Sequence, residues 1–210
     1  MSSPTTRFRS DLLEWSNDNL RDFPWRESER SLYEVFVAEF FLTQTPAENV
    51  AAVYPQFLDR FPTLESIREA GEETVARVIE PLGFQNMRAA ALTNIATEHR
   101  TLPDTVDELE NLERVGPYVA NATLCFAQDR RLPVVDRNVK RVYRRLLGTD
   151  WPEPSSDQWR VAANLVPPEA PRRYNLALLD FGAEICRSEP RCSVCFASPY
   201  CRYYSQSGSE

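Results

Sequence analysis

The sequence predicts an all-α fold, and three observations carry that prediction. Apolar residues recur at the helical spacing of three or four positions along the chain. No segment shows the strict alternation of apolar and polar residues that marks a half-buried strand. Glycine and proline separate the periodic segments, as at Pro24, Gly71 and Gly83. About ten helices without an internal repeat or a linker indicate a compact helical protein.

The first half of the chain begins with an amphipathic helix and a buried one. Apolar residues at positions 8, 12, 13 and 15 predict a first helix that ends near Pro24. Residues 33–44 are apolar on nearly every side, which is typical of a helix buried on most of its surface. Pro46 then takes the first position of the next helix, where proline is favoured. Shorter helices are predicted over residues 64–69, 72–79 and 86–98.

The second half contains a strongly amphipathic helix headed by Asp136. Its apolar residues at 139, 142, 143, 146 and 147 share one face, and Gly148 ends it. The other helices predicted here cover residues 107–112, 118 onward, 156–166 and 170–185. We expect residues 205–210 to form a disordered tail.

The chain is acidic, yet its basic residues are clustered. With 24 basic and 31 acidic residues among 210, the net charge is −7 and the pI is about 5.0. Such a charge repels phosphates on average, but a local basic face on an acidic body can still bind DNA. The basic residues concentrate in two blocks, Arg137, Lys140, Arg141, Arg144 and Arg145, and then Arg172 and Arg173.

Four of the five cysteines form one motif near the end of the chain, C-x5-C-x2-C-x5-C, made by Cys186, Cys192, Cys195 and Cys201. The hydropathy predicts neither a membrane span nor a signal peptide, so we expect a cytoplasmic protein in which a metal site is favoured over disulfides. A [4Fe–4S] cluster takes four cysteine ligands, and zinc accepts four as well. Zinc sites more often use two C-x2-C pairs, so the spacing favours the cluster and leaves zinc open. The fifth cysteine, Cys125, is interpreted as core packing.

Two further features have both a functional and an ordinary interpretation. Residues 109–120 read as helix, tight turn and helix, and backbone N–H groups at such a helix start suit a phosphate. An ordinary helical hairpin has the same pattern. Asp136 stands where aspartate is a common N-cap, so its position alone does not indicate catalysis.

Together these motifs resemble one family of DNA repair enzymes. The hairpin, the Asp-headed helix and the terminal cysteine segment, in this order, resemble the endonuclease III/MutY family of helix-hairpin-helix DNA glycosylases. So do residues 23–26, 38–45 and 174–182. The resemblance implies two helical lobes. Residues 27–135 would form a six-helix barrel with the helix-hairpin-helix, and residues 1–26 and 136–204 would form a lobe that holds a [4Fe–4S] cluster.

The resemblance also implies a ligand and a set of contacts. A monomer in a prokaryotic cytoplasm, associated with the nucleoid, would bind double-stranded DNA that carries a mismatched or damaged base. The target base would be flipped out of the stack. Gln44 would fill the hole that the flipped base leaves. The implied DNA-binding residues are Gln44, Arg114, Val115, Gly116, Arg137 and Lys140.

The implied chemistry assigns roles to two carboxylates. Breaking an N-glycosidic bond develops oxocarbenium-like positive charge on the sugar, which a nearby anion stabilises. Asp136 matches the essential aspartate of the family. Glu39 matches a position that carries glutamate in the adenine and thymine mismatch branches. Its apolar helix is expected to raise the pKa of its carboxyl, as suits a general acid that protonates the departing base. A buried polar residue satisfied by a neighbour is the ordinary interpretation of Glu39.

Tyr118 indicates the branch of the family. Endonuclease III-type enzymes carry a lysine there, which forms a Schiff base and nicks the strand. Tyrosine cannot do so, and it is similar to the thymine–guanine mismatch (Mig-type) glycosylases. We therefore expect a monofunctional glycosylase that removes thymine or uracil opposite guanine, without lyase activity. MutY proteins normally continue into a second domain, whereas this sequence ends nine residues after Cys201, which also favours the Mig-type branch.

Two alternatives stay open. Gln44 and the Asn138-Val139-Lys140-Arg141 run are similar to MutY, so excision of adenine opposite guanine or 8-oxoguanine is the second prediction. A non-catalytic DNA-binding protein with a structural metal is the third. The sequence also departs from the family: residues 112–116 replace the usual Leu-Pro-Gly-Val-Gly of the hairpin with Leu-Glu-Arg-Val-Gly, and the first cysteine spacing is one residue shorter. Pro117 further removes a backbone donor from the turn.

Overall fold

The computed structural model describes residues 3–207 and confirms the all-α prediction. These residues form helices and short 3-10 turns, and contain no β-strand. None of the helices within this described part of the chain is both long and apolar enough to cross a membrane. The α-helices within residues 3–207 are α1 (Pro4–Asn19), α2 (Leu32–Leu42), α3 (Ala47–Arg60), α4 (Leu64–Ala70), α5 (Glu72–Ile79), α6 (Gln85–Glu98), α7 (Val106–Glu110), α8 (Pro117–Gln128), α9 (Arg137–Leu147), α10 (Ser155–Leu165), α11 (Pro171–Glu184) and α12 (Arg202–Ser207).

The chain divides into two compact units. One, here called the hairpin unit, comprises residues from Asp22 to Gln128; the other, the cysteine unit, comprises the chain up to Arg21 and from Asp129 onward. Both boundaries lie a few residues before the predicted ones at 26/27 and 135/136. At the second boundary, the residues after α8 bond within the cysteine unit: Arg131 donates to the Val166 carbonyl at 2.8 Å, and the Val134 amide donates to Asn175 Oδ1 at 3.1 Å.

The hairpin unit is built around α2. Its N-terminus carries a capping box, in which Ser31 and Glu34 each accept the other's backbone N–H. Seven consecutive residues of α2, from Val35 to Phe41, are buried, which fits the prediction of a helix apolar on nearly all sides. Helices α3 and α8 pack against it. Between residues 22 and 128 the structure has seven α-helices, α2 to α8, where the resemblance implied a six-helix barrel.

The cysteine unit packs α1 and α9 against α11. Phe8 and Phe181 meet edge to face, with ring centroids 5.8 Å apart. At the end of α1 the fully buried carboxylate of Asp180 accepts from the Arg21 guanidinium at 2.7 Å and from the Arg21 amide at 2.9 Å. This pair fixes the N-terminal segment to α11, and because a buried carboxylate is costly without a partner, it also fixes the register of the two helices.

The predicted disordered tail is partly wrong. Residues 205–207 belong to α12, and residues 208–210 lie outside the described part of the chain. Helix α12 is anchored at its start by side chains from α9 and the turn after it. The Arg145 guanidinium lies over the Tyr203 ring, 4.9 Å from its centroid, and Arg202 forms an ion pair with Asp150. These tertiary contacts offset the low helical stability of so short a segment.

Candidate active site and cysteine centre

Asp136 is held at the N-terminus of α9 by two hydrogen bonds. Its Oδ1 accepts from the Val139 backbone N–H at 2.7 Å, which is the N-cap bond that the sequence predicted. Its Oδ2 accepts from the Asn138 side-chain amide at 2.9 Å. The carboxylate is half-buried, so it keeps access to solvent or ligand while both oxygens are oriented. Capping and catalysis are therefore compatible at this residue.

Asn138 connects Asp136 to the start of the cysteine segment. The Asn138 carbonyl oxygen accepts from Arg141 Nη2 at 2.9 Å, and the same nitrogen donates to the Gly182 carbonyl at 2.8 Å. Arg141 Nε donates to the Cys186 carbonyl, also at 2.8 Å. A continuous chain of hydrogen bonds thus runs from the carboxylate through two side chains of α9 to the first cysteine.

A glycine allows this arrangement. A Cβ built on Gly182 of α11 would lie 3.0 Å from Asn138 Cβ and 3.4 Å from Val142 Cγ2. Real Cβ contacts essentially never become shorter than this without displacement of a neighbour. The absence of a side chain at position 182 therefore lets α11 approach α9 at the residue that orients Asp136.

The basic block on α9 divides into two sets. Arg137 is exposed and Lys140 half-buried, so both are available to an anionic ligand. Arg141 and Arg145 are instead engaged by the cysteine segment: Arg145 donates to the Ser188 carbonyl at 2.9 Å and contacts Cys186 Sγ at 3.4 Å. In the second basic block, Arg173 donates to Ser16 Oγ of α1 at 2.8 Å. Part of the predicted basic face is thus used to hold the protein together.

The four C-terminal cysteines line one cavity, together with apolar side chains from α1, α9 and α11. Burial raises the pKa of the Cys192 and Cys195 thiols, and the other cysteines of the set raise both further through their charge. In the described residues, no group of three or more potential ligands is arranged around a single metal ion. The cavity thus brings together four thiols, a donor set that both a zinc ion and a [4Fe–4S] cluster accept.

Glu39 is almost fully buried on α2, with 2% of its surface exposed. Its charge is one of the influences that raise the pKa of the Tyr54 phenol, the largest being burial, so the two side chains are close. Tyr118 is half-buried in the first turn of α8, which packs against α2. The hairpin unit thus holds Glu39 and Tyr118 on adjacent helices, whereas Asp136 belongs to the cysteine unit.

The hairpin turn keeps the backbone conformation that a glycine would have. Arg114 has φ 62°, in the left-handed region, and the Val115 amide donates to the Leu112 carbonyl at 3.1 Å. Arg114, which replaces a glycine of the family motif, therefore adds a side chain to the turn while the backbone of the turn keeps its conformation. Arg114 is exposed, and its Nη2 lies 3.2 Å from Met87 Sδ at the start of α6. Val115 is buried below the turn, and Gly116 is half-buried.

Sequence reasoning missed the exposed turn that precedes α6. Phe84 is 55% exposed and Met87 45%, an unusual exposure for such large apolar side chains. Phe84 also has a left-handed φ of 51°. Gln44, which the sequence did predict, is exposed with φ 60°. The sequence did contain one indication of this turn: Gly83 is followed by the aromatic Phe84 just before a predicted helix.

Comparisons with known proteins place the chain among DNA repair enzymes. Residues 37–168 match the HhH-GPD superfamily of base excision DNA repair proteins. The chain is 36% identical over 203 residues to an adenine DNA glycosylase of Mycolicibacterium smegmatis, covering 93% of this chain. It is 31% identical over 215 residues to a thymine/uracil-DNA glycosylase of Pyrobaculum aerophilum, covering 96% of this chain and 93% of that protein.

A solved structure gives a similar result. The structure of a thermostable thymine-DNA glycosylase matches with a TM-score of 0.92 at 30% identity, over 97% of each chain. The adenine DNA glycosylases are longer: the chain spans 69% of the protein from Mycolicibacterium smegmatis and 64% of one from Mycobacterium tuberculosis.

Proposed function

The chain belongs to the HhH-GPD superfamily of base excision DNA repair proteins, and on that premise we propose that it is a mismatch DNA glycosylase that hydrolyses the N-glycosidic bond of thymine or uracil opposite guanine. The single observation that carries the proposal is the environment of Asp136, whose half-buried carboxylate is oriented through both oxygens at the head of α9. The likeness to a thymine-DNA glycosylase structure, with a TM-score of 0.92, supports the choice of base.

Asp136 stabilises the positive charge that develops on the sugar as the bond to the base breaks. An anion held in place before the reaction stabilises such a charge without reorganisation, and this kind of stabilisation is a large part of many enzymatic rate enhancements. The bonds from Val139 and Asn138 hold the carboxylate in that position. The same carboxylate directs the attacking water to the sugar.

Glu39 acts as the general acid for the departing base. Glu39 is 2% exposed on an apolar helix and lies close to Tyr54, and as a general acid it would carry the proton that the base receives. Transfer of that proton to the base as the bond breaks neutralises the negative charge that accumulates on the leaving group.

Tyr118 makes the enzyme monofunctional. A Schiff base to the sugar requires an amine nucleophile, which a phenol does not provide. The protein therefore leaves an intact strand with an abasic site, and borohydride traps no covalent complex with DNA.

DNA is bound by backbone groups and basic side chains. The hairpin turn of Arg114, Val115 and Gly116 presents the start of α8 to a phosphate, and exposed Arg114 adds a charge. In the cysteine unit, Arg137 and Lys140 of α9 are the side chains that contact phosphates. Gln44 enters the space left by the flipped base, and the exposed Phe84 supplies an apolar surface for unstacked bases. A single chain suffices for these contacts, so the protein acts as a monomer.

The four cysteines hold a [4Fe–4S] cluster. The donor set fits, since four thiols face one cavity and a cluster of this type takes four cysteine thiolates. When bound, the cluster would be held by Cys186, just after α11, and by the three later cysteines, and would cross-link the C-terminal segment. Arg145, in contact with Cys186 Sγ, places a positive charge beside the ligands.

Adenine excision is the second candidate function. It is favoured by the 36% identity to an adenine DNA glycosylase, which exceeds the identity to the thymine/uracil enzyme. Both candidates use Asp136 in the same way, so only the released base distinguishes them.

The deciding experiment is base release from duplexes that carry G·T, G·U, A·G or A·8-oxoguanine, with and without alkali. We expect release from G·T and G·U, with strand cleavage only after alkali. Asp136→Asn should lower the rate by at least about a hundredfold. The asparagine oxygen still accepts from the Val139 N–H and keeps the helix cap, and thermal unfolding checks that the variant is folded. Asp157→Asn, at the exposed start of α10, is the matched control and should keep full activity.

The other outcomes are equally informative. Release of adenine alone would move the protein to the second candidate. Strand cleavage without alkali would contradict the monofunctional assignment. No release from any of the four duplexes would reject the glycosylase proposal for these substrates and favour a DNA-binding role. Full activity of Asp136→Asn would contradict the catalytic assignment of that carboxylate.

A further inference from the structure

Arg88 of α6 is a buried cation that bonds to oxygen atoms of two separate turns. Its side chain is 5% exposed, and burial lowers the pKa of the guanidinium. Nη2 donates to the Thr43 carbonyl at 2.6 Å and to Thr45 Oγ1 at 2.8 Å, and Nη1 donates to the Leu82 carbonyl at 3.1 Å. No carboxylate within residues 3–207 forms an ion pair with it. Burial of a charge without a counter-charge is costly, so these three bonds must compensate for it.

Two of the three acceptors flank Gln44. Residues 42–45 form a turn of type II: Thr43 has φ −63° and ψ 110°, Gln44 has φ 60°, and the Thr45 amide lies 3.4 Å from the Leu42 carbonyl. The third position of a type II turn normally carries glycine or asparagine, because φ is positive there. Gln44 therefore occupies a conformation that costs about 1–2 kcal/mol for a residue with a Cβ.

The bond from Arg88 selects this turn over its commoner alternative. Types I and II differ mainly in the orientation of the central peptide, with ψ of the second residue near −30° in type I and near +120° in type II. In this turn that peptide carries the Thr43 carbonyl, which is the acceptor of the shortest Arg88 bond. Rotation to type I would turn the carbonyl away from the buried guanidinium and leave a donor unsatisfied.

The anchor of this arrangement is itself fixed. Thr45 Oγ1 donates to the Leu82 carbonyl at 3.2 Å, so Arg88, Thr45 and Leu82 form a closed set of bonds. Leu82 stands just before the turn that presents Phe84, and the Arg88 amide donates to the Phe84 carbonyl at 3.0 Å. One side chain thus ties the Gln44 turn to the start of α6.

We propose that Arg88 is a positioning residue for Gln44: by holding the Thr43 carbonyl it keeps Gln44 in the left-handed conformation that directs its side chain outward into the space vacated by a flipped base. The inference rests on the proposed function, since it assigns Gln44 the role of filling that space. Arg88 itself touches no DNA and no reacting atom.

The test compares Arg88→Met, Arg88→Lys, Gln44→Ala and the Arg88→Met/Gln44→Ala double variant. Binding is measured to a duplex with a tetrahydrofuran abasic analogue opposite guanine and to the same duplex without the lesion. The ratio of the two dissociation constants reports how well the protein stabilises the extruded nucleotide. Arg77→Met on α5, which removes an exposed charge, is the control, and thermal unfolding checks that each variant is folded.

We expect Arg88→Met to reduce the preference for the lesion by up to about a hundredfold, the scale of loss that misplacement of a site residue produces. Arg88→Lys, which keeps the charge but satisfies fewer acceptors, should fall between Arg88→Met and wild type. In the Gln44→Ala background, Arg88→Met should cause no further loss, because the residue it positions is already truncated.

Three results would overturn the inference. Additive losses in the double variant would mean that Arg88 acts independently of Gln44. An unchanged preference in a folded Arg88→Met protein would mean that the turn does not need it. A wild-type protein without any preference for the lesion would contradict the proposed function and the inference together, which separates that failure from the first two.

Discussion

At the scale of single residues, the same side chains serve the backbone and the proposed chemistry. Asp136 caps α9 through one oxygen and receives Asn138 through the other. An aspartate cap is worth about 1 kcal/mol to a helix, and the cap also orients the carboxylate. Three exposed residues, Gln44, Phe84 and Arg114, have a positive φ in the left-handed region. Strained conformations of this kind concentrate at functional sites.

Replacement of Arg114 by glycine tests whether the Arg114 side chain destabilises the turn and contacts a DNA phosphate. Glycine removes the cost of the left-handed conformation, which is about 1–2 kcal/mol for a residue with a Cβ. Glycine also has more conformational entropy in the unfolded chain, which destabilises the folded state by about 0.5–1 kcal/mol. We expect Arg114→Gly to raise the melting temperature slightly and to lower the salt dependence of DNA binding by about one phosphate contact. Denaturation and binding at several salt concentrations provide the two measurements. A less stable variant with an unchanged salt slope would contradict both parts.

At the scale of elements, α9 is central to the cysteine unit. One end carries Asp136, its apolar face packs into the core, and its arginines bond to the carbonyls that begin the cysteine segment. The contact between α9 and α11 at Gly182 brings these parts to the required separation. A displacement at the contact between α9 and α11 is therefore transmitted to Asp136, because close-packed interiors transmit strain.

Gly182→Ala tests this coupling. The added Cβ would lie 3.0 Å from Asn138 Cβ, so the helices must separate, at a cost of about 1–3 kcal/mol for overpacking. We expect lower stability and, because Asn138 moves, slower base release in the protein that remains folded. Ala183→Gly, which weakens the same helix by about 1 kcal/mol without adding an atom, should leave base release unchanged. Equal effects of the two variants on base release would show that only helix stability matters.

At the scale of the whole molecule, an acidic chain carries a local basic surface. The net charge of −7 repels DNA on average, and the arginines that remain exposed, such as Arg114 and Arg137, lie at the starts of helices where phosphates are favoured. Each unit has its own core, with the cysteine cavity in one and the hairpin in the other. The four cysteines and the hairpin therefore belong to different units.

Replacement of Cys192 by serine tests the metal assignment. Loss of one of four thiolates should remove most of the iron and sulfide and lower the stability of the protein, because binding free energy of a structural centre contributes to folding. Iron and sulfide content, visible absorption and thermal unfolding are measured on protein prepared without oxygen. Cys125→Ser, in the buried core of α8, should destabilise the fold without loss of iron. Stoichiometric zinc in place of iron would overturn the cluster assignment.

The sequence was most informative where one pattern has one physical cause. Helical periodicity gave the all-α fold, and the heptad-like spacing after Asp136 gave α9, which begins at Arg137 and ends at Leu147 before Gly148. It was least informative at the ends of segments. Residues 205–207 are helical because Arg145 and Asp150 hold α12, and those partners lie more than fifty positions away.

The fold class, the capped helix at Asp136 and the four-cysteine motif followed from the sequence alone, because each depends on residue type and on spacing within one stretch of chain. The resemblance to a repair family followed from the order of several such stretches. The tertiary structure was needed to show which arginines form hydrogen bonds within the protein. It was also needed to show that Arg114 keeps the backbone conformation of the missing glycine, and that Arg88 bonds to the turn at Gln44. These depend on atoms brought together from distant positions. A buried guanidinium donates to the carbonyl groups that tertiary packing brings close to it. The residues next to it in the sequence therefore do not predict which carbonyl groups these are.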